Sequence, residues 1–311
     1  MIPVIKTEKL SKRFGNIAAV DNLNLEVPEK AVFGFLGPNG AGKTSTVKML
    51  VGLSRPSEGR VSIAGEEVVA GSVEVRRNFG FLPDVPAFYD WMTGREYLYF
   101  TGELYDMKYA ELRQRVEELL EVVELKKAGS RKVGGYSRGM KQRLGIAQAM
   151  LHHPKVLFLD EPTSALDPIG RRDVLDLIGR LKEEATVFMS THILSDVERV
   201  CDSVGIINEG KLVLTSTVDE LRSKYARSVF EVELAEDHKG FIETLEQMPW
   251  FVNSESLTDN SGAGIRITTS DVAAARSQLP RLIADSNLTL LRYDLTQPSL
   301  EDIFVEVVKK A

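Results

Sequence analysis

The sequence predicts an α/β domain built on a parallel sheet, followed by a smaller α+β domain. Three observations carry that reading. Between residues 155 and 208, short apolar runs alternate with stretches of helical period, the mark of right-handed βα units. The stretch "GPNGAGKTS" at residues 37–45 places glycines and a lysine directly after the apolar run "AVFGFL", where a strand turns into a helix. Beyond residue 228 the runs follow the order strand, helix, strand, strand, helix, strand.

In chain order, residues 1 to about 85 read as sheet-forming material, with the β-like runs "NLNLEV", "AVFGFLG", "RVSIAG" and "NFGFLP" bounded by turns. From Trp91 to about Lys127 the period becomes helical, as Leu112, Val116, Leu119, Leu120 and Val123 recur three or four apart among Glu and Arg. This predicts a helical insert over about 86–145. The strand "KVLFLD", a helix around "RRDVLDLIGRLKEE", the strand "ATVFMST", a helix "ILSDVERV" and the strand "SVGIIN" complete a first domain over residues 1–222. After "RSKYARS" a second domain spans 228–311: "VFEVEL", "KGFIETLEQM", "FVNSESL" and "GIRITT" joined by "TDNSGA", then "DVAAARSQLPRLIADS" and "LTLLRYDL". That βαββαβ order is the ferredoxin-like pattern. A last amphipathic stretch, "PSLEDIFVEVVKK", carries Leu300, Ile303, Phe304 and Val307 on one helical face.

Bulk composition narrows the class. A chain of 311 residues suffices for two domains of ordinary size. With 43% hydrophobic and 27% charged residues it is neither disordered nor fibrous. A net charge of -6 argues against a protein that coats nucleic acid, so no nucleic-acid partner is expected. One cysteine, Cys201, excludes an internal disulfide and a cysteine-built metal site; it is expected as a small buried apolar group in a reducing compartment. Lys6, Glu8 and Lys9 interrupt the N-terminal apolar residues, and no apolar run is long enough to span a bilayer. The chain is expected in the cytosol, or held at a membrane by a partner.

The chemistry is concentrated in five places. The spacing Gly37, four residues (Pro38, Asn39, Gly40, Ala41), Gly42, Lys43, Thr44, with Ser45 following, is that of a nucleotide phosphate loop. Its glycines let successive N–H groups curl around a β-phosphate, and the following helix adds its positive end. Lys43 is placed to reach the β- and γ-phosphates, and the Thr44 hydroxyl to ligate magnesium. The strand ending "LFLDEP" puts Asp160 where it can hold the magnesium shell and Glu161 where it can polarise a water for attack on the γ-phosphate. "YSRGMKQR" offers a second anion nest at a helix start, with Ser137 and the Gly139 N–H. "SALD", ending in Asp167, follows the carboxylates, and "MSTHIL" ends a strand with His192, which can donate to a γ-phosphate oxygen.

In this order, these residues resemble the ATP-binding cassette family, specifically ATPase subunits of drug- and lipid-exporter-type transporters with separate permeases. The resemblance covers residues 4 to about 222. It implies a P-loop NTPase core with antiparallel β and helical subdomains, ATP and Mg2+ as cofactors, and ATP hydrolysis coupled to transport. It further implies that two cassettes close head to tail, so that ATP on one phosphate loop is capped by the "YSRGM" loop of the other; a homodimer follows. Phe14 in "KRFG" occupies the place of the aromatic that stacks on adenine, with a core phenylalanine as the alternative. Asp167 is implied at the nucleotide, and His192 resembles the switch histidine. The chain is then expected at the cytoplasmic face of a membrane, held by its permease.

Two departures from the family pattern matter. Tyr136, Arg138 and Met140 replace three residues of the usual signature, while Ser137, Gly139, Gln142 and Arg143 remain. In "GFLPDVPAFYD", Asp84 stands where the family has glutamine or glutamate, so it either meets the metal, reaches it through a water, or is a turn aspartate after Pro83. Phe88, Tyr89 and Trp91 in the same segment are candidate anchors for the permease, or else fill the insert's own core. A non-transport ATPase of the same fold and a regulatory nucleotide switch are the alternative functions; Glu161 argues against the switch. The second domain resembles the C-terminal extension of such exporter ATPases, compatible with ligand sensing or dimer bracing.

Overall fold

A computed structural model describes residues 3–69, 74–224, 228–235, 239–259, 262–296 and, near the end of the chain, 300, 301, 303, 304 and 307. They fall into two compact units, Met1–Val218 and Asp219–Lys310.

The first unit opens with β1 (Ile5–Phe14) and β2 (Ile17–Val27), a hairpin that leads to β3 (Val32–Leu36) and α1 (Lys43–Leu50). β4 (Glu58–Ile63), the short β5 (Glu66–Glu67) and β6 (Phe79–Leu82) follow, then α2 (Gly94–Leu104), α3 (Tyr109–Val122) and α4 (Arg138–Met150). The chain then alternates: β7 (Val156–Asp160), α5 (Pro168–Leu181), β8 (Thr186–Thr191), α6 (Leu194–Val200), β9 (Ser203–Asn208) and β10 (Lys211–Thr217), after which α7 (Val218–Lys224) begins at the boundary and runs within the second unit. One sheet has the order β2-β1-β4-β5 and is antiparallel. The other has the order β10-β9-β3-β8-β7-β6, parallel from β9 to β6 with β10 antiparallel at its edge.

β3, β7 and β8 are buried along their whole length, which is why they read as unbroken apolar runs rather than alternating ones. Phe33, Phe188 and Phe158 lie side by side on β3, β8 and β7, with centroids 5.5 Å apart for Phe33–Phe188 and 5.6 Å for Phe158–Phe188. Cys201 is buried beside Gly34, as expected, and burial pushes its thiol well above the usual range.

The stretch expected to be helical from Trp91 to Lys127 is two helices. α2 starts at Gly94 because Thr93 caps it: the Thr93 hydroxyl accepts from the Glu96 N–H at 3.2 Å, and the Glu96 carboxylate accepts from the Thr93 N–H at 2.8 Å. α3 packs Leu112, Val116, Leu119 and Leu120 inward, the residues of the sequence pattern. Its Arg115 is also buried, donating to the Met150 carbonyl at 3.0 Å and to Glu184 at 2.9 Å, so α3 is tied to the end of α4 and to the turn after α5. α4 lies against β6 with backbone touching backbone: a Cβ on Gly80 would stand 1.9 Å from the Ala149 carbonyl oxygen.

β10 was not legible in the sequence. "KLVLTST" lacks a clean apolar-polar alternation, and the strand forms because Glu209 and Gly210, both at positive φ, close a tight hairpin that pairs Lys211 with Asn208.

The second unit holds β11 (Ser228–Leu234), α8 (Lys239–Leu245), β12 (Phe251–Asp259), β13 (Gly262–Thr269), α9 (Val272–Asp285) and β14 (Leu290–Thr296). The sheet order β12-β13-β11-β14, antiparallel throughout, is the ferredoxin-like arrangement. Phe230, Val232, Ile265 and Ile267 on the sheet meet Phe241, Leu245, Leu279 and Ile283 on the helices. Leu300, Ile303 and Val307 of the closing helical stretch are buried, and Phe304 is half-buried. Tyr225, Ala226 and Arg227 of the linker, and Pro298, Ser299 and Asp302, lie outside the described residues.

Candidate nucleotide site

A cavity of about 350 Å³ opens at the C-terminal ends of β3, β7 and β8, lined by Ala19, Asn39, Gly40, Gly42, Lys43, Thr44, Ser45, Asp84, Glu161, Ser164 and His192. Ligands of open α/β sheets bind at this end of the strands. The loop from β3 to α1 reaches it through a backbone that only glycine accommodates at position 42. There φ is +105°, and a Cβ would stand 2.4 Å from the Ala19 carbonyl oxygen. Gly37, Pro38 and Ala41 build the same loop from behind, and the Lys43 ammonium donates to the Gly37 carbonyl at 2.8 Å and the Pro38 carbonyl at 3.2 Å.

Three groups meet at the mouth. Glu161 stands between Lys43, with Oε1 3.3 Å from Nζ, and His192, with Oε2 2.8 Å from Nδ1. Its backbone is left-handed, at φ +49°, an unfavourable conformation held by N–H bonds to the Ser190 carbonyl at 3.1 Å and hydroxyl at 3.2 Å. Asp160, the last residue of β7, is only 4% exposed. Its Oδ1 accepts from the Ser190 hydroxyl at 2.5 Å and lies 3.5 Å from the Thr44 hydroxyl. Burial pushes the Asp160 carboxyl above its usual range, against the pull of those hydrogen bonds. Asp84 faces the same cavity and accepts from the Ser164 hydroxyl at 2.5 Å. Thr44, Asp84, Asp160 and Ser164 therefore gather hard oxygen donors, a set whose chemistry suits a small divalent cation.

Other expected residues lie elsewhere. Phe14 ends β1 at the hairpin tip, 56% exposed, with the Lys12 ammonium 5.1 Å from its ring centroid; the core alternative is thus corrected. Ser137, Gly139 and Asp167 line a separate cavity of about 270 Å³ together with Arg138, Arg143 and Asp173. Ser137 caps α4 by accepting from the Met140 N–H at 3.2 Å, and Asp167 caps α5 by accepting from the Gly170 N–H at 3.3 Å. Phe88 is half-buried against Tyr97, centroids 5.0 Å apart, whereas Tyr89 and Trp91 are 48% and 66% exposed. Phe88 therefore belongs to the insert's interior and the other two rings to its surface.

Sequence reasoning missed the groups that hold the site in shape. Ser190 sits at a buried strand position where a serine looks incidental. Asp196, fully buried, accepts from Thr163 at 2.5 Å and from the Arg171 guanidinium at 2.6 Å, bracing the segments that follow Glu161 and His192. Its signal was a carboxylate four residues after the histidine, on a helix of otherwise ordinary composition.

Residues 20–164 match the ABC transporter family, and residues 217–308 match the C-terminal domain of DrrA1-3-like ATP-binding proteins. The chain is 41% identical to the ABC transporter ATP-binding protein YxlF of Bacillus subtilis, over 98% of this chain and 99% of that one. It is 38% identical to the bacitracin transport ATP-binding protein BcrA of Bacillus licheniformis, over 99% and 98%. Among solved structures, cbiO1 of Clostridium perfringens, part of the ABC transporter complex cbiONQ, superposes with a TM-score of 0.67 at 25% identity, covering 72% of this chain and 92% of that one.

Proposed function

The chain belongs to the ABC transporter family as an ATP-binding subunit that hydrolyses ATP, and from that premise we propose that Glu161 is the base of the hydrolysis and that paired copies drive a separate exporter-type permease. The observation that carries this reading is the Glu161 carboxylate, held between Lys43 and His192 at 3.3 and 2.8 Å on the rim of the phosphate loop.

In the proposed mechanism the loop N–H groups and Lys43 hold the β- and γ-phosphates. Glu161 accepts the proton of the attacking water, and His192 orients that carboxylate while facing the γ-phosphate. Thr44, Asp160 and Asp84 would hold Mg2+, which would supply neutralisation of the phosphate charge. Phe14 offers an exposed face for adenine. Ser137, Gly139 and Asp167, set around their own cavity, would cap the nucleotide of a second copy.

A permease partner is supported by two relatives, one a bacitracin transport protein and one part of a transporter complex, and by the exposed rings of Tyr89 and Trp91. Among the described residues no helix is long and apolar enough to cross a membrane. The reading places the chain at the cytoplasmic face, bound through that partner.

Glu161→Gln keeps the shape and removes the base, so ATP binding should persist while turnover falls about a hundredfold or more. Sizing in ATP should then show a stable pair. Turnover at the wild-type level would overturn the base assignment. Tyr89→Ala with Trp91→Ala should weaken permease co-purification and transport while the isolated subunit keeps its ATPase rate, and unaffected transport would remove these rings from the interface.

A further inference from the structure

We propose that β14 is a self-recognition edge, through which the second unit pairs with the same strand of a second copy of this chain. In the sheet order β14 is terminal, so one side of its backbone has no neighbour among the described strands. Free edges invite pairing unless charge, proline or a bulge protects them. The one register shift lies between Leu290 and Arg292 and leaves Leu291 without a partner on β11, and Arg292 to Leu295 pair with β11 in regular register.

The side chains specify the occupant. Residues 291–295 read "LRYDL", a sequence complementary to itself when two copies run antiparallel about Tyr293. Arg292 then stands opposite the partner's Asp294, Leu291 opposite the partner's Leu295, and Tyr293 opposite the partner's Tyr293. Both faces agree. Tyr293 and Leu295 lie opposite Val232 and Phe230 of the core, so they share the helix-covered face, while Arg292 and Asp294 share the open one. Yet Leu291 and Leu295 are 56% and 39% exposed, an apolar row that the helices do not cover. Arg292 and Asp294 are paired to each other at 2.6 Å, which leaves the edge nearly neutral and without a repulsive guard. The Tyr293 hydroxyl is buried with no hydrogen-bond partner among the described residues. Opposite charges and apolar pairs across antiparallel strands stabilise the pairing, and like charges oppose it.

This contact needs neither nucleotide nor permease, so it stands apart from the ATP-driven closure proposed above. Sedimentation velocity on the full chain without nucleotide tests it. The wild type should self-associate. Asp294→Arg and Arg292→Asp, each placing like charges opposite each other twice across the two-fold, should each weaken association about tenfold. The double variant Arg292→Asp with Asp294→Arg restores complementarity and should recover it, with circular dichroism unchanged throughout. Tyr293→Cys, opposite itself on the axis, should form an interchain disulfide on mild oxidation, whereas Glu243→Cys on α8 should not. A wild-type chain that stays monomeric, single variants that associate normally, or a folded double variant that does not recover would each overturn the proposal. Loss of permease co-purification in the single variants of a monomeric chain would assign the edge to that partner instead.

Discussion

Asp160 shows what a buried carboxyl costs on its own. A carboxyl pushed upward by burial is destabilising while ionised, so its penalty is present at neutral pH and fades as pH falls through the raised value toward the unfolded one. Asp160→Asn keeps an acceptor for Ser190 and Thr44 and removes the charge. The nucleotide-free variant should therefore melt above the wild type near neutral pH, and the gap should narrow on acidification; thermal melts across pH would show a constant gap if burial of the charge were irrelevant. Gly42 is constrained differently. Gly42→Ala puts a Cβ 2.4 Å from the Ala19 carbonyl in a backbone of positive φ, and the loop must move. Nucleotide affinity is expected to fall about tenfold or more, read by titration with a fluorescent ATP analogue, because Ala19 and Gly42 line the same cavity. Equal affinity would mean that the loop tolerates the shift.

At the scale of elements, what was legible and what was not divides along physical lines. The phosphate loop, Asp160, Glu161 and His192 were readable because short-range spacing encodes them. β3, β7 and β8 were readable because burial on both faces leaves an unbroken apolar run. β10 was invisible because a hairpin turn at Glu209 and Gly210, not an alternating pattern, creates it. Ser190, Asp196 and Arg115 were missed because their roles depend on partners 30, 25 and 35 residues away, at Asp160, Arg171 and Met150. Arg115 yields a test. Its carboxylate partners are partly exposed and can be resolvated, so Arg115→Ala should lose hydrogen bonds and packing rather than strand a buried charge, at a cost of about 2 kcal/mol. Thr93→Ala removes half of a capping box and should cost about 1 kcal/mol. Urea denaturation should rank the two in that order, and the reverse ranking would show that the α2 cap matters more than the α3 tie.

At the scale of the whole molecule, the two cavities pose a question of assembly. Lys43 lines one and Ser137 the other, so in a head-to-tail pair each nucleotide meets the loop of one copy and the α4 start of its partner. On the proposed arrangement Lys43→Ala should damage its own chain's site, and Ser137→Arg the partner's. In a mixed pair both lesions fall on one site and the other is intact. ATPase activity should partly return on mixing, to about half of wild type at most for independent sites; no recovery in proven mixed pairs would refute the arrangement. The contact between Gly80 and Ala149 adds a mechanical side to this. It is one of two close seats: α4 meets β6 at Ala149 against Gly80 and again at Gly145, where a Cβ would stand 2.4 Å from a Leu82 methyl, so the second half of the helix that begins after Ser137 is fixed on the strand. Asp84 stands two residues beyond the end of that strand, so one seated helix and strand carry both Ser137 and Asp84.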